Sequence, residues 1–279
     1  MTRRQALIYA RPRLEAANIA EAALESELLL RQALSIDRAE LYSHPEARLS
    51  LEQQQTFNSL LERRLSGEPA AYIRGRREFY GLDFFVDDRV LIPRPESELL
   101  VEEALNLAHE YASPIIADIG TGSGAIAICL ALKLPQARIY ATDISGEALE
   151  VAAINCQRHN VADRITLLEG DLLEPLPQAP DIVVANLPYV PESQLEQLQG
   201  EPPLALDGGA NGTDVIRRLC QQAKDRLKPG AYLLLEIGQG QGTEIIELLE
   251  GLFPSSVIEA KTDLASIPRV VILKVTPSR

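Results

Sequence analysis

Two short segments of this 279-residue chain carry residue types and spacings suited to chemistry. The first is Asp118-Ile119-Gly120-Thr121-Gly122-Ser123-Gly124, which follows an apolar run and opens a helical pattern. Glycines there let the backbone turn tightly and let a ligand come close to the amide-rich start of a helix. Two more carboxylates stand at the ends of the next two apolar runs: Asp143, and Asp171 within Glu169-Gly170-Asp171-Leu172. Each Asp alone could be only a strand-end cap or turn former. Around one glycine turn they make a ligand set: Asp143 can accept from both hydroxyls of a ribose, Asp171 is placed to meet an adenine amino group, and Asp118 lies where an ammonium would sit. A glycine turn of this kind also serves dinucleotides. Carboxylates around a diphosphate would repel it, so a ligand with an adenosine end and a cationic amino-acid end, S-adenosyl-L-methionine, fits better.

The second segment, Asn186-Leu187-Pro188-Tyr189, follows the fourth apolar run. An Asn side-chain oxygen and the Leu187 carbonyl can accept both N–H bonds of a planar NH2 group and align its nitrogen for attack on a sulfonium methyl. Tyr189 can stack on the acceptor or face developing positive charge. A carboxylate offers no N–H and would set charge against two carbonyl oxygens, so the expected acceptor is an amide or an exocyclic amine. The sequence holds no Gly-x-Ser-x-Gly elbow, no phosphate-loop Gly-Lys-Ser/Thr and no Ser-His-Asp set, and His44, His109 and His159 lack metal-ligand spacing, so no metal is expected. No side chain stands out as a strong base, which leaves the amide proton to the carbonyl acceptors and water.

Such segments need rigid elements at their backs. Apolar runs at 115–119, 138–142, 164–168, 181–185, 232–237 and 270–275, with a weaker one at 257–260, predict strands, and helical spacing falls between several of them. Uninterrupted apolar strands alternating with helices specify an α/β fold, a doubly wound and mostly parallel seven-stranded sheet whose last strand runs antiparallel. Before it, residues 1–71 read as a small helical domain. Leu24 and Leu28 suggest one apolar stripe and Phe57, Leu60, Leu61 and Leu65 another, with a capping box at Ser50 and Gln53. Residues 72–95 gather Phe79, Tyr80, Phe84 and Phe85 around two glycines, predicting a β-hairpin connector packed between that domain and the one spanning 96–279.

Composition narrows the function. With 27 Lys and Arg against 40 Asp and Glu, the formal charge is −13, and the imbalance is confined to residues 76–279. Proteins that grip nucleic acid at large tend to be basic; an acidic catalytic domain better suits a partner with a basic surface. Hydrophobic residues at 46% and charged at 24% are those of a folded globular protein. Cys129, Cys156 and Cys220 form no Cys-x-x-Cys pair and fit buried thiols in a reducing compartment. With no apolar run of about 18 residues, the sequence predicts a cytoplasmic protein away from membranes.

Together these motifs resemble the class I S-adenosylmethionine-dependent methyltransferases, and the fuller set is similar to the release-factor glutamine methyltransferases. The likeness spans nearly the whole chain: the helical beginning, Glu78-Phe79-Tyr80-Gly81 through Val90-Leu91-Ile92-Pro93-Arg94-Pro95-Glu96, the glycine turn, Asn186 to Tyr189, and Glu201-Pro202 with Ala205-Leu206-Asp207-Gly208-Gly209. It implies methyl transfer to the side-chain nitrogen of the glutamine in the Gly-Gly-Gln motif of peptide-chain release factors. It also implies that Gly120 to Gly124, Asp143 and Leu172 line the cofactor site, that Asn186 to Tyr189 hold the glutamine, and that residues 1–71 dock the protein substrate. One position departs: that family usually has Asn-Pro-Pro-Tyr, and Leu187 replaces the first proline. Pro188 still biases Leu187 toward extended backbone. Asn-Leu-Pro-Tyr is also the form found in rRNA adenine dimethyltransferases, which makes an rRNA adenine N6-methyltransferase the alternative. Those enzymes are usually basic and carry their extra helical domain after the catalytic one; this chain is acidic and carries it before.

Overall fold

The computed structural model describes all residues except Gln197, Gln199, Ser278 and Arg279, and it separates into two units, Met1–Arg76 and Arg77–Arg279. In the first unit, α1 (Arg3–Ala16), α2 (Ala22–Leu34), α3 (Arg38–Ser43), α4 (Leu51–Leu65) and α5 (Ala70–Arg74) follow one another. The Ser50–Gln53 capping box forms as expected, Ser50 Oγ accepting from Gln53 N at 3.1 Å and Gln53 Oε1 from Ser50 N at 2.9 Å. Thr2 and Gln5 make a second box that opens α1. Leu29, Leu30, Phe57, Leu61 and Ile73 share one core. Leu24, expected on the apolar stripe of α2, is exposed. The run Leu28-Leu29-Leu30 allows more than one helical face, and packing selects Ala22, Leu29, Leu30 and Leu34 for burial. Helix α5 carries Tyr72 and Ile73, so helical structure continues past residue 71 to Gly75, whose φ of 63° ends it.

The second unit opens with a hairpin, β1 (Arg77–Phe79) and β2 (Leu82–Phe84). Its two-residue turn, Tyr80-Gly81, has positive φ at both positions, the geometry whose twist matches paired strands. Next come α6 (Glu98–Ala108), β3 (Ile115–Ile119), α7 (Ala125–Lys133), β4 (Arg138–Asp143), α8 (Gly146–Arg158), β5 (Ile165–Glu169) and β6 (Ile182–Ala185). They are followed by α9 (Glu192–Leu195), α10 (Asp214–Arg226), β7 (Tyr232–Glu236), α11 (Gly242–Leu252), β8 (Val257–Thr262) and β9 (Pro268–Lys274).

The seven-stranded sheet has the order β5-β4-β3-β6-β7-β9-β8. Strands β3 to β7 run parallel, while β9 pairs antiparallel with both β7 and β8. Successive side chains on a strand point to opposite faces. Thus Ile116, Val184 and Leu234 pack with α6 and α7, whereas Ala117, Val183 and Leu233 pack with α10 and α11, which is why the strands read as unbroken apolar runs. Cys129 and Cys156 lie in the first layer and Cys220 in the second; all three are buried, which pushes their thiols up to about 12, 11 and 12 and leaves them unreactive. No helix among the described residues is long and apolar enough to cross a membrane.

One buried polar side chain ties this unit together. Asn155 on α8 is fully buried; its Oδ1 accepts from Phe85 N at 2.7 Å, and its Nδ2 donates to Phe85 O at 2.9 Å and to Ser123 O at 2.8 Å. The segment after the hairpin and the glycine turn are therefore fixed to the same helix. Removing the amide strands buried backbone groups, each costing about 1 to 3 kcal/mol. Asn155→Ala is expected to lower the unfolding free energy by about 2 to 4 kcal/mol in urea denaturation. A loss below about 0.5 kcal/mol would show that the tie contributes nothing.

Candidate active site

Strand β3 lies between β4 and β6, the point where connections leave in opposite directions and a crevice opens at the strands' carboxyl ends. The glycine turn leaves β3 there. Gly120, Gly122 and Gly124 have φ of 69°, 54° and 79°, left-handed values that other residues adopt at a cost of about 1 to 2 kcal/mol. The amides of Gly120 and Thr121 both donate to Thr142 O at 2.9 Å, and Gly122 N donates to Asp143 Oδ2 at 2.9 Å. Asp143 Oδ1 accepts from Ser145 N at 3.0 Å. Ser145 also caps α8, its hydroxyl accepting from Ala148 N.

A cavity of about 630 Å³ occupies the crevice. It brings together most of the residues singled out by sequence: Gly120, Thr121, Gly122, Ser123, Asp143, Asp171 and Leu172 on one side, with Asn186, Leu187 and Pro188 on the other. The two sides touch, since a Cβ built on Gly120 would lie 3.0 Å from Leu187 Cδ2. Leu172 reaches the cavity through an unusual backbone, with φ of 52°, and its carbonyl accepts from the Thr142 hydroxyl at 3.0 Å.

Three expected site residues do not line the cavity: Asp118, Gly124 and Tyr189. Asp118 is buried instead under the turn, where Oδ2 accepts from Thr121 Oγ1 at 2.7 Å and from Ala127 N at 3.1 Å, and Oδ1 has no partner. Burial pushes its carboxyl up to about 6, against the pull of those two donors. Gly124 faces the core, where a Cβ would meet Ala152 and Ile128 at 3.3 Å. The Tyr189 ring packs beside Gly238, and its hydroxyl points to Glu236 Oε1 at 3.5 Å; burial and that carboxyl push it up to about 12. Asp171 lines the cavity with one oxygen already engaged: its Oδ2 pairs with Arg218 and accepts from Gln222 Nε2 at 3.3 Å.

The acceptor loop is anchored from several sides. Asn186 Nδ2 donates to Ser97 Oγ at 2.9 Å, which leaves Oδ1 as the acceptor end of that amide. Gln241 Nε2 donates to Tyr189 O at 3.0 Å, and Val190 N donates to Leu206 O at 2.9 Å. Glu201 clasps the far wall, accepting from Ile92 N at 2.8 Å and pairing with Arg94. Sequence reasoning gave no role to Ser97, Arg218, Asn155 or Glu236. A signal existed only for Glu236, a carboxylate ending the otherwise apolar strand Tyr232-Leu233-Leu234-Leu235.

The cavity wall carries Asp88, Asp143, Glu147, Asp171 and Asp207 against Arg89, Arg94 and Arg218. All three arginines are already paired with carboxylates: Arg89 with Asp87 and Glu150, Arg94 with Glu201, and Arg218 with Asp171. The site therefore favours a cation over an anion.

Residues 5–75 match the family model "PrmC N-terminal domain", and residues 95–264 match "Methyltransferase small domain". The chain is 41% identical to the release factor glutamine methyltransferase of Koribacter versatilis, over 98% of each chain. It is 46% identical to that of Moorella thermoacetica, over 89% of each. Among solved structures it resembles a ribosomal protein L11 methylase from Lactobacillus delbrueckii subsp. bulgaricus, with a TM-score of 0.52 and 22% identity over 68% of this chain and 84% of that one. That likeness concerns the fold.

Alanine at two of the turn glycines separates strain from space. A Cβ on Gly122 meets nothing within 4 Å, so Gly122→Ala is expected to cost only about 1 kcal/mol of backbone strain while placing a methyl in the ligand space. Gly124→Ala adds core crowding and is expected to cost about 2 kcal/mol or more. Chemical denaturation of the two variants checks the order; the reverse order would mean that the turn packs differently.

Proposed function

The chain belongs to the release factor glutamine methyltransferases, and from that premise we propose how its crevice methylates the side-chain nitrogen of the glutamine in the Gly-Gly-Gln motif of a peptide-chain release factor. The observation that carries the reading is the van der Waals approach of the glycine turn to Leu187, which sets a ligand-binding turn directly beside a loop offering two carbonyl-type acceptors.

The residues present fit S-adenosyl-L-methionine, the methyl donor of methyltransferases in general. Carboxylates dominate the wall, Gly122 leaves open space where a side chain would intrude, and Asp118 keeps a buried oxygen without a partner. When bound, the cofactor supplies an electrophilic methyl group on a cationic sulfur. Asp143 would hold the ribose hydroxyls, and Leu172 and the exposed Ile144 give apolar surface to the adenine end. Asp118 acts through the turn it organises and through its charge.

An amide nitrogen is a weak nucleophile because its lone pair is delocalised, so orientation must do most of the work. Asn186 Oδ1 and the Leu187 carbonyl accept its two N–H bonds, which aims the nitrogen and raises its electron density. Ser97 holds the Asn186 amide in the sense this requires. Tyr189 supports the loop from behind its backbone. After transfer the nitrogen is strongly acidic and gives its proton to water. The first unit docks the release factor; its exposed large apolar side chains include Ile8, Tyr9, Tyr42 and Leu51. The acidic second unit suits a basic partner surface and disfavours a bare phosphate backbone.

The protein incubated with methyl-labelled cofactor, purified release factors and a ribosome fraction is expected to label the release-factor glutamine alone. Label in rRNA with none in the release factor would overturn this reading. In the same assay Asn186→Ala is expected to lower kcat at least a hundredfold, about 3 kcal/mol, with cofactor affinity unchanged within twofold; matched losses would make Asn186 a cofactor ligand. Removing residues 1–76 is expected to raise KM for the release factor far more than for the cofactor.

Cofactor affinity also reports on the buried carboxyls. Asp118 titrates near 6, and burial raises Asp143 as well. Both are neutral when protonated, so attraction for a cation is present above about pH 6 and is lost as pH falls through it. Calorimetry is expected to show affinity weakening and proton release on binding growing between pH 7 and 5.5. A flat profile would remove Asp118 from the cofactor's field.

A further inference from the structure

The segment Ala205-Leu206-Asp207-Gly208-Gly209 runs beside the acceptor loop. Val190, the next residue after Asn186-Leu187-Pro188-Tyr189, donates its amide to Leu206 O at 2.9 Å and accepts at its carbonyl from Gly208 N at 2.9 Å, a short parallel bridge opposite Asp207. The chain then comes back at Gly212, buried and with φ of 77°, where a Cβ would collide with Tyr189 O. Only glycine lets the two backbones lie that close.

Gln241 closes this arrangement. It stands at the start of α11, yet its side chain makes no capping hydrogen bond to that helix. The amide serves three other segments instead: Nε2 donates to Tyr189 O at 3.0 Å and to Gly212 O at 3.1 Å, and Oε1 accepts from Gly238 N at 2.8 Å. A glutamine amide has two N–H bonds and one carbonyl oxygen, so its donors and its acceptor are all engaged. Turned over, it would set its oxygen against two carbonyls and its NH2 against an N–H, which leaves it one orientation. Gln241 does not line the cavity, so it reaches the reaction only through the loop it holds.

We propose that Gln241 is a positioning residue for methyl transfer: by holding the Tyr189 carbonyl it fixes the direction of the Leu187 carbonyl. The inference rests on the acceptor role given above to Leu187. Few free torsions separate the two carbonyls. The Pro188 ring fixes its own φ and holds Leu187 to extended backbone, which leaves Pro188 ψ and the two torsions of Tyr189. At the near end Leu187 packs on Gly120, and Asn186 is tied to Ser97. At the far end the Val190 peptide is bridged to Leu206 and Gly208. With the Tyr189 carbonyl pinned as well, the remaining torsions cannot turn independently. Without the Gln241 donors the Tyr189 peptide is free to swing, and the Leu187 carbonyl loses its aim. An amide nucleophile depends on orientation, so the loss falls on turnover rather than on cofactor binding at the opposite wall.

The test compares full-length wild type with Gln241→Glu, Gln241→Met and Asn186→Ala, at saturating methyl donor with a release factor as substrate. It reads kcat per folded molecule, KM for the release factor, cofactor Kd, and amide hydrogen exchange along the chain. Gln241→Glu keeps an oxygen for Gly238 N and sets a second oxygen where the two donors were; Gln241→Met keeps the length without polar atoms. Both are expected to lose kcat about tenfold or more, with KM within about threefold and cofactor Kd within about twofold. Exchange is expected to quicken at residues 186–192 while β3, β4 and β6 keep wild-type rates. Wild-type kcat in both Gln241 variants, with Asn186→Ala inactive, would overturn this proposal and leave the acceptor assignment standing. Full activity in Asn186→Ala would overturn both. A loss confined to KM or cofactor Kd, or faster exchange spread through the sheet, would make Gln241 a support of the fold and also overturn the proposal. If neither Gln241 variant folds, Gly212→Ala decides, because its methyl pushes on the same Tyr189 carbonyl with Gln241 intact: a kcat lowered about tenfold or more supports the proposal, and a wild-type kcat, or failure of this variant to fold as well, overturns it.

Discussion

Three glycines in left-handed conformation at the end of β3 hold open the space on which the rest of the site depends, and such a turn is not stable by itself. It is stitched to the neighbouring strand: the last residues of β4 accept three of its amides, through Thr142 O and Asp143 Oδ2. Asp118 grips it from below through Thr121 and the first turn of α7, and Asn155 grips it from α8 through Ser123 O. Apart from the Asn155 bond from α8, these bonds are short in sequence or cross between adjacent parallel strands. The order of β4, β3 and β6 in the sheet therefore both builds the turn and sets the acceptor loop beside it. A ligand entering the crevice meets backbone already fixed, so little ordering entropy remains to oppose binding.

Electrostatics then divides the labour among the carboxylates. Asp143, at the cavity wall, has both oxygens engaged by backbone amides yet still faces the cavity. Asp118 and Glu236 are buried behind the turn and behind the acceptor loop, and burial raises both. Neither lines the cavity; each lies behind a segment that does. Holding protons longer than the unfolded chain would, both cost stability as pH climbs from the ordinary carboxylate range to neutrality. That cost fits a site tuned to attract a cation.

Much of this was legible in the sequence because period and punctuation are local signals. Apolar runs such as 182–185 and 232–236 could only be strands buried on both faces, and the turn glycines announced themselves by spacing. The leucine-rich α2 failed for the opposite reason, since Leu28-Leu29-Leu30 fits several faces and tertiary packing made the choice. Roles set by distant partners were not legible. Asp118 and Tyr189 have the residue types of ligand contacts, yet hydrogen bonds to Ala127 and Thr121 and the approach to Glu236 turn them inward. Asp171 meets Arg218, 47 positions away, and Asn186 meets Ser97, 89 positions away. No window along the chain brings those pairs together.

The central claim is that the Asn186 amide oxygen and the Leu187 carbonyl jointly hold the acceptor nitrogen. A crystal structure of the protein with the demethylated cofactor product and a Gly-Gly-Gln release-factor domain tests it most directly. The account predicts the glutamine nitrogen within hydrogen-bond reach, about 2.7 to 3.2 Å, of both oxygens, with Asn186 Nδ2 still on Ser97. A glutamine bound elsewhere in the crevice, or an Asn186 amide presenting its NH2 to the substrate, would contradict it.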